Sequence, residues 1–357
     1  MEHFFVGTYS EPILFGTGEV FQGKGKGVYY CSFDGKEISV VSELPLSNPS
    51  FLCVDEKRRK VYAVNELKEF QGESGGGVTE ITYDENGAME ANASFTTGGT
   101  DPCHIVMSPK KDLLVVSNFA SGSLAVYELG AEGEILPGKQ FFQHEGSSVH
   151  PVRQRGPHAH SAIFVGDHMM LVPDLGIDQL VAYSHWGGRV TPEPARGVSL
   201  PAGSGPRYGE LSPDGKHFYL INEIASSVTH FERDGEHLTA CKTVGTLPKD
   251  FAGDNICSDL HITPDGKHLY ASNRGHDSLS AYRIGVGGEL DLLQHYSCRG
   301  KTPRNFAITP SGKYLLVGNQ SSDTIVAFVI LTDGALEFVS ETQFPTPVCI
   351  RFLREDT

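Results

Sequence analysis

The sequence predicts an all-β fold, a seven-bladed β-propeller with four-stranded blades whose ring is closed by the N- and C-terminal strands sharing one blade. Two observations predict it. A segment of about 50 residues recurs along the chain, the period of propeller blades. Within each copy, alternating and β-branched runs are bounded by turns such as "SPDGK", "TPDGK" and "TPSGK", the pattern of strands rather than helices.

The copies align as three clear strands and a looser fourth. First strands read "FLCVDEK", "HIVMSPK", "HSAIFVG", "YGELSPD", "LHITPDG", "NFAITPS" and "CIRFLRE". Second strands begin with "FFVGTYS" at Phe4 and continue through "VYAVNE", "LVVSNF", "LVPDLG", "YLINEI", "YASNRG" and "LVGNQS". Third strands run from "GVYYCSF" to "TIVAFVI", and fourth strands such as "ISVVSEL" and "ELDLLQHYS" follow. The second and third sets start at the N-terminus, whereas the last first strand lies at the C-terminus. One blade must therefore be stitched from both chain ends, which removes open sheet edges. Residues 1–357 are expected to form one propeller domain. The Trp-Asp dipeptide of WD40 repeats does not occur.

Composition narrows the function. A net charge of −15 over 357 residues argues against a nucleic-acid or membrane surface. No apolar run is long enough to span a bilayer. The N-terminal "MEHFFVGTYSE" enters a strand at once, unlike a signal peptide. Seven scattered cysteines in apolar runs read as reduced thiols of a cytoplasmic protein.

Strand direction then locates a face. The start of each first strand and the end of each second strand lie on one side of the disc. The long, irregular connections lie there too: Glu11–Gly27, Lys68–Gly77, Gln143–Ala159 and Pro248–Ser258. Function concentrates where loops vary over a rigid scaffold. Two columns of the repeat point to that side. The residue opening the first strand reads Ser50, Cys103, His160, Arg207, Ser258, Arg304, Val348, with proline before it in five blades. The residue closing the second strand reads Tyr9, Glu66, Phe119, Leu175, Glu223, Arg274, Gln320. The neighbouring column repeats Asn65, Asn118, Asn222, Asn273 and Asn319 and is structural, because amides satisfy backbone groups at strand ends. The two varied columns gather His160, Arg207, Glu223, Arg274 and Arg304 at one sector of the channel mouth, with His104 and His261 pointing into the same region. An ion-pair network between blades would account for some of this charge. One carboxylate cannot neutralise three arginines, however, and an anionic ligand suits the surplus.

Other motifs carry less. "GKGKG" at Gly23–Gly27 follows no complete βα unit, so it is not a nucleotide loop. "PHAH" at Pro157–His160 has no matching ligand set for a metal, and no Cys–His pair for thiol catalysis can be placed.

The chain resembles the propeller-type lactonases, the family of bacterial 6-phosphogluconolactonase and of the 3-carboxy-cis,cis-muconate lactonizing enzyme. The likeness covers nearly the whole chain. It is carried by "HS" at His160–Ser161, "GPR" ending at Arg207, "INE" ending at Glu223, "DLHITPDGKHLYASNR" ending at Arg274 and "TPRNFAITPSGKYLL" from Thr302. The resemblance implies a cytoplasmic lactonase acting on 6-phosphoglucono-δ-lactone in the pentose phosphate pathway, without metal or cofactor. It implies catalytic roles for His160, Arg207, Glu223 and Arg274. Beside them Arg304, His104 and His261 are expected to bind substrate, although each of the two histidines taken alone reads more readily as a hydrogen-bonded inner-strand residue. His160 or Glu223 would take the proton from water. The partner is a small anionic lactone, not nucleic acid or membrane. A muconate-type cycloisomerase, a non-enzymatic protein-binding propeller and a calcium-dependent lactonase are the alternatives.

Overall fold

The structure is a computed structural model and describes residues 1–15 and 18–354. Seven antiparallel sheets, six of four strands and one of five, surround a central channel among the described residues. Blade 1 is assembled from both ends of the chain. Its innermost strand is Pro347–Phe352, followed outward by Glu2–Thr8, Gly27–Phe33 and Ile38–Pro45. Phe4 pairs with Phe352 and Val6 with Ile350. The expected last strand runs on to residue 355, which lies outside the described residues. Blades 2 to 7 begin at Leu52, Pro102, Ile163, Pro206, Ile256 and Pro303 and each runs outward in chain order.

The second strands explain how the disc is held together. Strands such as Lys60–Asn65, Leu113–Asn118 and Met169–Asp174 are buried at every position. Successive side chains point to opposite faces of a strand, so each strand serves two interfaces. Tyr62 and Val64 pack against Ile105 and Leu114 of blade 3, whereas Val61 and Ala63 pack against Phe5 and Val28 of blade 1. This scheme repeats around the ring as seven apolar layers between consecutive blades. The structural asparagines sit at the strand ends: Asn222 donates to Ser227 and Thr229, and Asn273 to Ser278, Ser280 and the Thr246 carbonyl.

Three departures from the expected pattern have local causes. In blade 4 the innermost strand shrinks to Ile163–Phe164, and the outer strand splits into Arg189–Pro192 and Val198–Ser199 around a 3-10 turn at Pro194–Arg196. Prolines at 192 and 194 cannot donate to the ladder. The connection Glu11–Gly27, expected to be irregular, contains the hairpin Pro12–Leu14/Val20–Gln22; residues 16 and 17 between them lie outside the described residues. A smaller hairpin, Glu69–Phe70/Glu73–Ser74, occupies the next mouth connection. The "GKGKG" glycines serve packing: a Cβ on Gly25 would stand 2.1 Å from Thr8 Oγ1, and one on Gly23 2.6 Å from the Tyr9 backbone. Among the described residues no helix is long and apolar enough to cross a membrane.

Ring closure depends on the C-terminal strand. Ile350 is fully buried in the layer between blades 7 and 1. Ile350→Ala should cost about 2–5 kcal/mol in urea unfolding, whereas Val41→Ala on the half-exposed outer strand of the same blade should change stability by about 0.5 kcal/mol or less.

Candidate active site

The charged residues of the mouth stand on a repeated backbone irregularity. In blades 3, 5 and 7 the first and second strands slip register between Pro102 and His104, Pro206 and Tyr208, and Pro303 and Asn305. The bulged residues are therefore Cys103, Arg207 and Arg304. The residue before each proline has positive φ: Asp101 at 52°, Gly205 at 62° and Thr302 at 59°. A bulge re-aims a side chain at the end of a strand, and here it turns these groups into the mouth. Blade 6 slips between Cys257 and Leu260.

Glu223 is the hub. It is buried, and its Oε2 lies 2.9 Å from Arg207 Nε and 2.8 Å from Arg274 Nη2. Arg153 donates to its Oε1. Arg207 also donates to the Ser258 carbonyl, and Arg274 to the Cys257 carbonyl at 2.9 Å. Burial alone would raise the Glu223 carboxyl, but Arg274, Arg153 and Arg207 together hold it well below the usual carboxylate range. Burial brings Arg274 down to about 9 against the pull of Glu223, with Arg207 and Arg304 adding to the fall; it stays protonated at neutral pH.

His160 stands beside this hub. Its Nε2 is 3.8 Å from Glu223 Oε2, beyond hydrogen-bond reach. Its ring meets Phe119 edge-on, and the Cys103 sulfur lies 3.5 Å from Nδ1. A Cys–His contact thus exists where none was expected. Burial nevertheless raises the Cys103 thiol far above its ordinary value, which keeps it a neutral neighbour rather than a nucleophile. Burial, reinforced by Arg207 and opposed by Glu223, holds His160 well below its ordinary value, so the imidazole is neutral at pH 7.

Arg304 occupies the adjoining sector. Its guanidinium lies over the Tyr9 ring at 5.2 Å and near Phe15 at 5.9 Å, with Glu66 Oε1 3.8 Å away. Tyr9 donates to Glu66 Oε2 at 2.9 Å. Burial raises the Glu66 carboxyl against the opposing charge of Arg304. The mouth pocket encloses about 790 Å³ and is lined by His160, Glu223, Arg153, Arg274 and Arg304 together with aromatic residues of the N-terminal hairpin. Asp101, Asp254 and Glu19 also border it, Asp101 being tied to Lys68. Three arginines line this pocket, and the fourth, Arg207, lines an adjoining narrower cavity while sharing Glu223 with Arg153 and Arg274. Among the described residues no group of three or more His, Cys, Asp or Glu side chains is placed to hold a metal ion.

The structure thus brings together His160, Arg207, Glu223, Arg274 and Arg304 through shared contacts and cavities. His104 and His261 do not line the mouth pocket; His104 lines the adjoining narrower cavity with His160, Arg207 and Arg304. His104 packs between Phe51 and Tyr208, with ring centroids at 4.4 and 6.0 Å, and burial lowers it to about 3. His261 is held in the channel shaft by Glu210 at 2.9 Å and Asp259 at 3.2 Å. Burial opposes its protonation, but those two carboxylates raise it to about 10. Sequence reasoning missed Arg153, which lies in a loop outside the repeat and falls in no column. Tyr9, Glu66 and Cys103 stood in the two varied columns, but only the fold shows that they adjoin Arg304 and His160.

The chain has relatives among known proteins. A family model described as "Lactonase, 7-bladed beta-propeller" matches residues 3–352. A 6-phosphogluconolactonase of Formosa agariphila is 32% identical over 79% of this chain and 82% of its own length. The 6-phosphogluconolactonase of Bacillus subtilis is 28% identical over 85% of this chain and 83% of its own. The structure of a periplasmic gluconolactonase from Pseudomonas aeruginosa superposes with a TM-score of 0.90 at 30% identity, covering 99% of both chains.

Two outcomes test this electrostatic picture. Glu223→Ala leaves three buried guanidinium groups without their carboxylate and should lose about 3–5 kcal/mol. Sulfate should restore more stability to this variant than it adds to the unaltered protein in matched urea titrations. His261 has a raised folded-state pKa, so its contribution is fully present below pH 6.5 and disappears as pH rises toward 10. The stability gap between the unaltered protein and His261→Gln, on the order of a few kcal/mol at pH 6, should therefore narrow steadily by pH 10.

Proposed function

Because the chain belongs to the seven-bladed β-propeller lactonase family, we propose that it hydrolyses 6-phosphoglucono-δ-lactone to 6-phosphogluconate. The observation that carries this reading is the meeting of His160 with Arg153, Arg274 and Arg304 in one pocket, with Arg207 held at the same carboxylate, Glu223. A lactone carbonyl needs an activated water and stabilisation of the oxyanion that develops on it. A phosphate needs the remaining positive charge. The names of the Formosa and Bacillus relatives agree with this substrate.

His160 is the general base. Glu223 is a poor competitor for the proton, because three guanidinium groups stabilise its ionised form. His160 takes a proton from water as the water oxygen bonds to the lactone carbonyl carbon. Arg207 and Arg274 stabilise the resulting oxyanion. When the intermediate collapses, the bond from that carbon to the ring oxygen breaks. The ring oxygen leaves as a hydroxyl, taking the proton back from His160. The remaining guanidinium groups, Arg304 among them, hold the phosphate. Glu223 fixes the arginines rather than the imidazole.

An unphosphorylated aldonolactone is the second reading, favoured by the gluconolactonase from Pseudomonas aeruginosa. Comparison of the two lactones separates these readings. Hydrolysis of freshly generated 6-phosphogluconolactone, coupled to oxidation of 6-phosphogluconate, should exceed the spontaneous rate and have the higher kcat/KM. His160→Ala should lower kcat about 10²–10⁴-fold while its circular dichroism stays unchanged. Turnover at the unaltered rate in that variant would remove His160 from the chemistry. No acceleration of either lactone by the unaltered protein would overturn the reading.

A further inference from the structure

The arginines of the mouth are not held alike. Arg207 and Arg274 lie in strands, and each donates to a backbone carbonyl as well as approaching Glu223. Arg304 is enclosed by Tyr9, Phe15 and Glu66. Arg153 comes from the connection between blades 3 and 4. Among the described residues its guanidinium has one hydrogen-bond partner, Glu223 Oε1.

The loop under Arg153 is nevertheless well anchored. Gln154 is fully buried, donates to the Leu175 carbonyl at 2.9 Å and accepts from the His150 backbone at 3.0 Å. The backbone N–H of Arg153 donates to His150 Nδ1 at 3.0 Å. Ser148 donates to Asp178, which also accepts from Gly203 and Gly205 in the segment leading into Arg207. The backbone at residue 153 is thus fixed beside the pocket while the side chain hangs into it from a single ion pair.

From this arrangement we infer that Arg153 is the substrate's phosphate clamp: on binding, its guanidinium exchanges Glu223 Oε1 for phosphate oxygens and so selects phosphorylated over neutral lactones. This rests on the hydrolase reading above and deepens it. The exchange replaces one charge-assisted contact by another of the same type, for which the planar guanidinium fork is suited. Glu223 retains Arg207 and Arg274, so its charge remains compensated. Arg207 and Arg274 would have to break a backbone contact to follow the ligand, and Arg304 would have to leave the Tyr9 and Phe15 rings; Arg153 gives up only its Glu223 contact.

The test compares the full chain with Arg153→Gln and Arg153→Lys by two readouts. Inorganic phosphate binding is measured by calorimetry, and kcat/KM is measured on phosphorylated and unphosphorylated gluconolactone. Arg153→Gln should weaken phosphate binding roughly 10- to 100-fold and lower the kcat/KM preference for the phosphorylated lactone by a similar factor. Arg153→Lys, which keeps charge without the fork, should fall between. If Arg153→Gln fails to fold, the lysine variant carries the test through the same two losses. An equal fall on both lactones with phosphate binding unchanged would overturn the inference, leaving Arg153 as a mere support of Glu223. If the unaltered protein ignores the phosphorylated lactone yet binds phosphate through Arg153, the substrate assignment and the selection between lactones fail, while anion binding by Arg153 stands. Phosphate binding that is indifferent to both substitutions overturns the clamp whatever the substrate.

Discussion

Everything at the mouth depends on the burial of second-strand side chains between consecutive blades. Each second strand covers its neighbours on both faces, so a sheet at an open end would leave one whole apolar layer in water. Closure of blade 1 by Pro347–Phe352 supplies the missing cover for Phe4, Val6 and Leu316. Each layer joins residues distant in sequence, and the first and last strands meet only when the ring is complete. The stability of the disc is therefore distributed around seven similar interfaces. That distribution lets the channel mouth carry groups that are costly to bury.

The cost is evident at Glu223. A carboxylate and three guanidinium groups removed from water lose hydration that their mutual attraction restores only when geometry is good. The bulges of blades 5 and 7 supply some of that geometry, because they turn Arg207 and Arg304 out of the ladder without lengthening the blade. Blade 6 contributes Arg274 from a strand end, and a non-repeat loop contributes Arg153. Three different backbone devices thus bring four cations around Glu223 and Glu66. The four guanidinium groups outnumber the two carboxylates that they directly approach, Glu223 and Glu66, inside a strongly acidic protein.

The blades were legible in the sequence because burial on both faces writes the same apolar pattern seven times. The sector of the site was legible for the complementary reason. Where Asn65, Asn118, Asn222, Asn273 and Asn319 repeat, one backbone requirement repeats, and where His160, Arg207, Glu223, Arg274 and Arg304 break the repeat, a backbone requirement shared by all blades is not the cause. Depth along the channel was not legible. His104 follows Cys103 directly and His261 follows Ser258 by three residues, and a few positions along an innermost strand suffice to move a side chain from mouth to shaft. Arg153 was illegible because its loop has no copies to compare, and its nearness to Glu223 arises from anchoring through Gln154 and Asp178. The mouth hairpin at Pro12–Gln22 was hidden for the same reason.

The electrostatics of the empty and occupied pocket then bear on when the proposed base acts. Burial and Arg207 both depress the basicity of His160, so in the free protein the imidazole is neutral but weak. An anion settling among the arginines offsets part of the positive field that reaches His160, from Arg207 and from Arg304 alike. The proton affinity of the imidazole therefore rises when a charged substrate is present, and a neutral lactone produces no such rise. On the proposed reading the arginines would do more than hold the substrate: the charge that they bind would also bring the base closer to the strength that water activation requires. A buried histidine beside a compensated carboxylate would otherwise be an inert packing residue. The arrival of negative charge is what distinguishes the two states.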